Sequence, residues 1–109
     1  MTSLQVLELE GSEIGNVGIV ALSRGLKHLA SLKVLRLSSN EICDWGAAKL
    51  AEETKHLISL ESLSLMYNNI CEKGVARTKL VEAVKTGWTG LKTLEVWSST
   101  DLFDIKQNV

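Results

Sequence analysis

The stretch LKVLRLSSNEICDWGAAKL, residues 32–50, decides how this chain folds. Counting from Leu32, it sets Leu35 and Leu37 at offsets of 3 and 5, then Asn40, Ile42, Gly46 and Leu50 at offsets of 8, 10, 14 and 18. A shift of 28 residues upstream finds the same spacing in Leu4, Leu7, Leu9, Ser12, Ile14, Gly18 and Leu22. The same shift downstream finds Leu60, Leu63, Leu65, Asn68, Ile70 and Gly74. A fourth start, Leu91, Leu94 and Val96 with Ser99 in the polar column, follows after 31 residues. Self-similarity at a fixed period marks units that bury their apolar sides only by stacking on one another.

Each unit carries two periodicities. The leucines at offsets 3 and 5 alternate with other residues, which predicts a short strand with one buried side. Leu22, Leu26 and Leu29 are spaced by four and three residues, with Leu50 and Leu57 repeating the first and last, which predicts a helix with one apolar stripe. The small polar residues at offset 8 can hydrogen-bond free backbone groups where the strand turns a corner. The glycine column fits a corner or a close approach that a side chain would obstruct. In the third unit Leu80, Val84 and Trp88 keep helical spacing. Its three extra residues are expected around Ala76 to Thr78, in a longer or irregular helix with Gly87 as its cap.

The pattern of residues 32–50, with its 28-residue period, resembles the ribonuclease-inhibitor class of leucine-rich repeats, and the likeness covers nearly the whole chain. The resemblance implies an α/β fold, a right-handed β-α superhelix of about three and a half repeats with a parallel sheet on the concave face. The units run 4–31, 32–59, 60–90 and a partial unit with its tail at 91–109, in one domain spanning 1–109. Ribonuclease inhibitor, the sensor regions of NOD-like immune receptors and Ran GTPase-activating protein share this class. It therefore implies protein recognition, with sensing or autoinhibition in a NOD-like innate immune receptor as the leading expectation. A regulatory role beside a GTPase and a purely structural end segment are the alternatives. Two departures stand out. The third unit is stretched, and the tail from Thr100 abandons the repeat, with Asp101 where an isoleucine belongs. Leu102, Phe103 and Ile105 are expected to cover the last core layer. No comparable cap precedes Leu4, so the chain reads as a piece of a longer array, or as a protomer that self-associates through its first strand.

Composition narrows the chemistry. Hydrophobic residues are 45% and aromatics only 5%, so the apolar content is aliphatic and suits narrow repetitive cores. A net charge of −1, from 12 basic and 13 acidic residues, builds no field for nucleic acid or anionic lipid. The opening residues lack the basic stretch and apolar core of an export signal, and no apolar run reaches the ~18 residues that a bilayer requires. Cytoplasmic residence is the expectation, and Cys43 and Cys71 read as free thiols packed as small buried hydrophobes. His28 and His56 fall in one column, on helix ends after Lys27 and Lys55; two stacked pairs are no zinc set, so no metal or cofactor is expected. No nucleophile turn or phosphate cradle is present, so no catalysis is expected.

The residues alternating with the inward leucines line the concave face. They form ladders, because parallel strands lie about 4.8 Å apart. One ladder runs Glu8, Arg36, Ser64, Glu95; the next runs Glu10, Ser38, Met66, Trp97, with Tyr67 one position further on. The partner-binding candidates are Arg36, Ser38, Ser64, Met66, Tyr67, Glu95 and Trp97. A Met, Tyr and Trp grouping is the composition of an interface anchor, and the competing reading has Trp97 and Met66 shielding the last strand. Trp45, whose column holds Val17 and Lys73 elsewhere, either packs partly against a helix or forms a second contact surface.

Overall fold

A computed structural model describes residues 3–107. Strand and helix alternate four times: β1 (Val6–Glu8), α1 (Gly15–Leu26), β2 (Val34–Arg36), α2 (Asp44–Thr54), β3 (Ser62–Ser64), α3 (Val75–Thr86), β4 (Thr93–Glu95) and α4 (Asp101–Gln107). The strands form one parallel sheet in the order β1-β2-β3-β4, so each crossover carries a helix and returns to the neighbouring position. Leu7, Leu35, Leu63 and Leu94 are register partners across all four strands, and the 31-residue spacing of the last unit leaves this register intact.

The core is a stack of equivalent layers. Leu32, Leu35, Leu37, Ile42, Leu50, Leu60, Leu63 and Leu65 are fully buried. Their counterparts in the first unit, Leu7, Leu9, Ile14 and Leu22, are only partly buried, because no described residue covers them on the side away from β2. Buried hydroxyls in the helices are satisfied locally: Ser23 Oγ donates to the Ile19 carbonyl and Thr54 Oγ1 to the Leu50 carbonyl, each at 2.6 Å.

Asparagine side chains bind the layers at the corners. Asn40 Oδ1 accepts the N–H groups of Ser12 and Ile14 in the preceding unit, while its Nδ2 donates to the Leu9 and Leu37 carbonyls. Asn68 repeats the arrangement, accepting from Asn40 and Ile42 and donating to the Leu37 and Leu65 carbonyls. A second ladder was not anticipated: Asn16 Oδ1 accepts the N–H of Cys43 and Asp44 Oδ1 that of Cys71, both at 2.8 Å.

The glycine column serves two purposes. A Cβ on Gly46 would collide with the Asn16 side chain and lie 2.8 Å from the Ile19 side chain, so glycine lets α2 approach α1. Gly74 has φ of 136°, a left-handed backbone that precedes α3.

Several expectations need correction. Leu29 and Leu57 lie in the returns after α1 and α2, not within the helices. Residues 76–78 belong to a regular α3 of 12 residues, the length of α1, and the corner ahead of Val75 is longer than its counterparts. Gly87 does cap α3, donating its N–H to the Ala83 carbonyl at 2.9 Å. Trp88 follows the helix in the column of Leu57; it is buried, and its Nε1 donates to the Thr54 carbonyl at 2.9 Å.

The tail forms a helix. Leu102 and Ile105 join the core, but Phe103 is 63% exposed. Asp101 works in the corner as the asparagines do, its buried Oδ2 accepting the N–H groups of Val96, Trp97 and Ser98 at 2.7 to 3.0 Å. Its departure from the isoleucine column is therefore a capping device.

Candidate partner-binding surface

The sheet presents the ladders that the leucine spacing requires. Glu8, Arg36, Ser64 and Glu95 are successive register partners. Arg36 Nε lies 3.1 Å from Glu8 Oε2, both side chains being about half exposed, so solvent screens the pair and it adds little stability. Ser64 is buried, with its Oγ 2.9 Å from Ser38 Oγ, and is unavailable to a partner. Ser38 and Glu95 are half-buried. The face therefore offers an ion pair at one side and neutral hydroxyls toward the middle, where Thr93 Oγ1 also donates to Ser62 Oγ at 2.8 Å.

The aromatic members separate. Trp97 is half-buried against the core, its Nε1 donates to the Ile70 carbonyl at 2.8 Å, and the Arg77 guanidinium stands 5.6 Å from its ring centroid. A tryptophan so fixed covers the corner of the third unit. Met66 is half-buried. Tyr67 is 78% exposed in the turn that follows β3.

Tyr67 also carries unusual backbone geometry. The residue at offset 7 adopts a left-handed conformation in three successive units: Gly11 at φ 64°, Ser39 at 57° and Tyr67 at 61°. The first three corners impose this turn. Glycine tolerates it freely, whereas for a bulky aromatic it costs of order 1–2 kcal/mol. The fold thus holds a large ring outward at the position least suited to one.

The outer surface has its own apolar feature. Trp45 is 53% exposed, Val17 78% and Val75 50%, each near the start of its helix. Trp45 borders a shallow groove with Val20, Ala48 and Val75, edged by Lys49, Glu52 and Lys79. Lys79 Nζ lies 3.0 Å from Glu52 Oε2. The hydrogen bond from Lys79 holds the Glu52 carboxyl below its ordinary range, against some desolvation and with help from the Lys79 and Lys49 charges. The same hydrogen bond, then the Glu52 and Glu82 charges, raises Lys79.

Other sequence candidates are placed as follows. His28 and His56 are exposed in the returns after α1 and α2. Both cysteines are free thiols, but Cys43 is half-buried and Cys71 exposed, so the expectation of small buried hydrophobes is corrected. Each cysteine sits where its N–H must reach the Asn16–Asp44 ladder, and that leaves the side chain at the rim. Among the described residues no group of three or more His, Cys, Asp or Glu is arranged to hold a metal ion, and no helix is long and apolar enough to cross a membrane.

Comparison with known proteins bears on the repeat itself. No curated protein and no solved structure matches the chain. The family model described as Leucine Rich repeat matches residues 1–23, 28–51 and 56–76, three segments that take in β1 with most of α1, β2 with most of α2, and β3 with the start of α3, and together cover more than half of the sequence. The register-locked sheet, the asparagine ladder and this match agree that the chain belongs to the leucine-rich repeat family.

Proposed function

We propose that the chain is a recognition module that captures a protein partner on its strand-lined face, with Tyr67 as the anchor and Met66 and Arg36 beside it. Leucine-rich repeat domains generally mediate protein–protein recognition and are typically non-enzymatic. The observation that carries the assignment to this surface is the exposed ring of Tyr67 on a left-handed backbone. Strain retained in an exposed aromatic, where Gly11 and Ser39 meet the same turn more cheaply, is the kind of local cost that persists at binding sites. Tyrosine and arginine are also enriched among interface hot spots.

The ribonuclease-inhibitor-like spacing favours a more specific role, ligand sensing or autoinhibition in a NOD-like innate immune receptor, in the cytoplasm. The exposed free thiol of Cys71 suits a reducing compartment. A second reading rests on Trp45: the outer groove would hold the partner and leave the sheet bare.

The test is affinity capture with the 109-residue chain and with a Tyr67→Ala/Met66→Ala variant, quantified by mass spectrometry. Truncating a hot-spot anchor costs about 2 kcal/mol or more, so captured partners should fall more than tenfold while circular dichroism stays unchanged. Undiminished capture by the folded double variant rejects the sheet; loss on Trp45→Ala instead moves the site to the outer groove.

A further inference from the structure

The tryptophans of this chain differ in what their indole N–H groups meet. Trp88 and Trp97 each donate to a main-chain carbonyl of the preceding unit, those of Thr54 and Ile70, at 2.9 and 2.8 Å. Trp45 has no such anchor. It stands in the first turn of α2, 53% exposed, and among the described residues no acceptor meets its Nε1–H. The repeat does not call for a tryptophan there, since Val17 and Lys73 hold the same offset in the neighbouring units. A large ring with an unused donor is the kind of side chain that protein contacts enrich. Trp45 borders the outer groove, a depression of about 260 Å³ that Val20, Ala48 and Val75 line from three successive helices.

The polar groups at the rim decide what fits this groove. Both oxygens of the Glu52 carboxylate are already engaged by lysines, Oε1 with Lys49 Nζ at 3.6 Å and Oε2 with Lys79 Nζ at 3.0 Å. The next carboxylate is held the same way, Glu82 Oε1 facing Lys55 Nζ at 3.6 Å and Oε2 facing Lys79 Nζ at 3.8 Å. Each acid thus lies between two ammonium groups, and the row ends in a cation on either side. An ammonium has three hydrogens to give, so what the rim has to spare, with the Trp45 indole included, is donors. A basic partner would compete with the lysines for engaged carboxylates, whereas an acidic one adds acceptors and breaks nothing. Backbone chemistry narrows the occupant further. The groove lies between helices, away from any strand edge, so an extended segment would cover main-chain groups that find no partners there. A helix brings its own hydrogen bonds already made. Trp45 and Glu52 lie about 10 Å apart along α2, the length of about two helical turns.

We propose that the outer groove docks an amphipathic helix of a partner protein that carries aliphatic side chains on one face and Asp or Glu along its flank. The aliphatic side chains lie against Trp45, Val20 and Val75, and the carboxylates accept from the Trp45 indole and from Lys49 and Lys79. This gives the second reading above a ligand chemistry, and it stands apart from the Tyr67 surface, which belongs to the sheet and not to the helix layer.

Two sets of acetylated, amidated peptides test it, each peptide stapled on its solvent side to hold a helix and carrying leucines at three- and four-residue spacing in different registers. One set has glutamate beside the leucines and the other has lysine. Binding is followed by fluorescence anisotropy and by the indole N–H resonances of the full 109-residue chain. The best glutamate peptide should bind about tenfold or more tightly than the best lysine peptide, and should move the Trp45 resonance while those of Trp88 and Trp97 stay in place. Trp45→Ala should weaken it about tenfold or more, and Lys49→Glu should remove most of the preference between the sets. Neither side chain is buried, so both variants should fold. Equal affinity for the two sets, binding by neither, an unmoved Trp45 resonance, or indifference to Trp45→Ala overturns the proposal and leaves the sheet reading as it was. Binding of the glutamate peptide that falls with Tyr67→Ala/Met66→Ala but not with Trp45→Ala overturns it in favour of the sheet. Sedimentation as a dimer that Trp45→Ala dissociates overturns it in favour of a second copy.

Discussion

Leu63, in the middle of the sheet, is 1% exposed, while Leu7, its partner in register two strands away, is half-buried. The two residues have the same type, the same offset and the same strand geometry, and differ only in how many neighbours stack on them. At the C-terminal end the chain supplies a substitute neighbour. There α4 packs on β4 and α3, adds Leu102 and Ile105 to the core, and lets Asp101 hold the N–H groups of the final corner. At the N-terminal end the described residues supply none, and the same columns border an open trough. The difference shows that in a repeat architecture a side chain's contribution is set by layer position as much as by identity.

Leucine truncation is the strongest way to break or sharpen that comparison. Leu63→Ala should cost about 2–5 kcal/mol in urea denaturation, and Leu7→Ala less than half as much, because its site is already partly open. Equal costs would mean that the first layer is as closed as the middle one. Next comes the C-terminal closure. Asp101→Ala orphans three backbone donors, two of them on half-buried residues, and should cost about 2–3 kcal/mol, with amide exchange speeding first at Val96, Trp97 and Ser98. Uniform loss of protection along the chain would show that α4 is not a separable cap.

A pair of glycine substitutions probes the ends more finely. Gly46→Ala inserts a Cβ against Asn16 and Ile19 and should destabilise by about 1 kcal/mol or more, whereas Gly25→Ala, with open space around its Cβ near the end of α1, should stabilise by about 0.5–1 kcal/mol. Thermal melts of the two variants should move in opposite directions. The smallest effect belongs to the outer-face pair of Lys79 and Glu52. Glu52, with its lowered pKa, contributes stability above its ordinary 4.5 that fades as pH falls through the folded value. Lys79, raised, contributes below its ordinary 10.5 and loses it as pH climbs through the folded value. The difference in melting temperature between wild type and Lys79→Met should be small at pH 7, vanish at both extremes and shrink in high salt.

The reading from sequence succeeded where a column of like residues meets a like environment. Leu35, Ile42, Asn40 and Gly46 occupy the places that their offsets assign. It was weaker where chemistry substitutes for identity. Asp101 does the work of asparagine two positions after the expected column, because a carboxylate oxygen can collect N–H groups from a reorganised corner, and no periodicity announces that. Ser64 belonged by alternation to the exposed ladder, yet it is buried, paired with Ser38. Tyr67, one position outside the ladders, was already grouped with Met66 and Trp97 as an interface candidate, but its left-handed backbone is not encoded in the spacing.

What the sequence determined by itself was the period, and with it the parallel sheet, the facing of the leucines and the polar corner. Those depend on backbone geometry that repeats identically every unit. What tertiary structure alone decided was the fate of the exceptions: Trp97 turned against Ile70, Trp88 folded over α2, Cys71 left at the rim and Leu7 left half open. Each of these outcomes depends on contacts with a neighbouring layer, which a side chain's place in its own repeat cannot report.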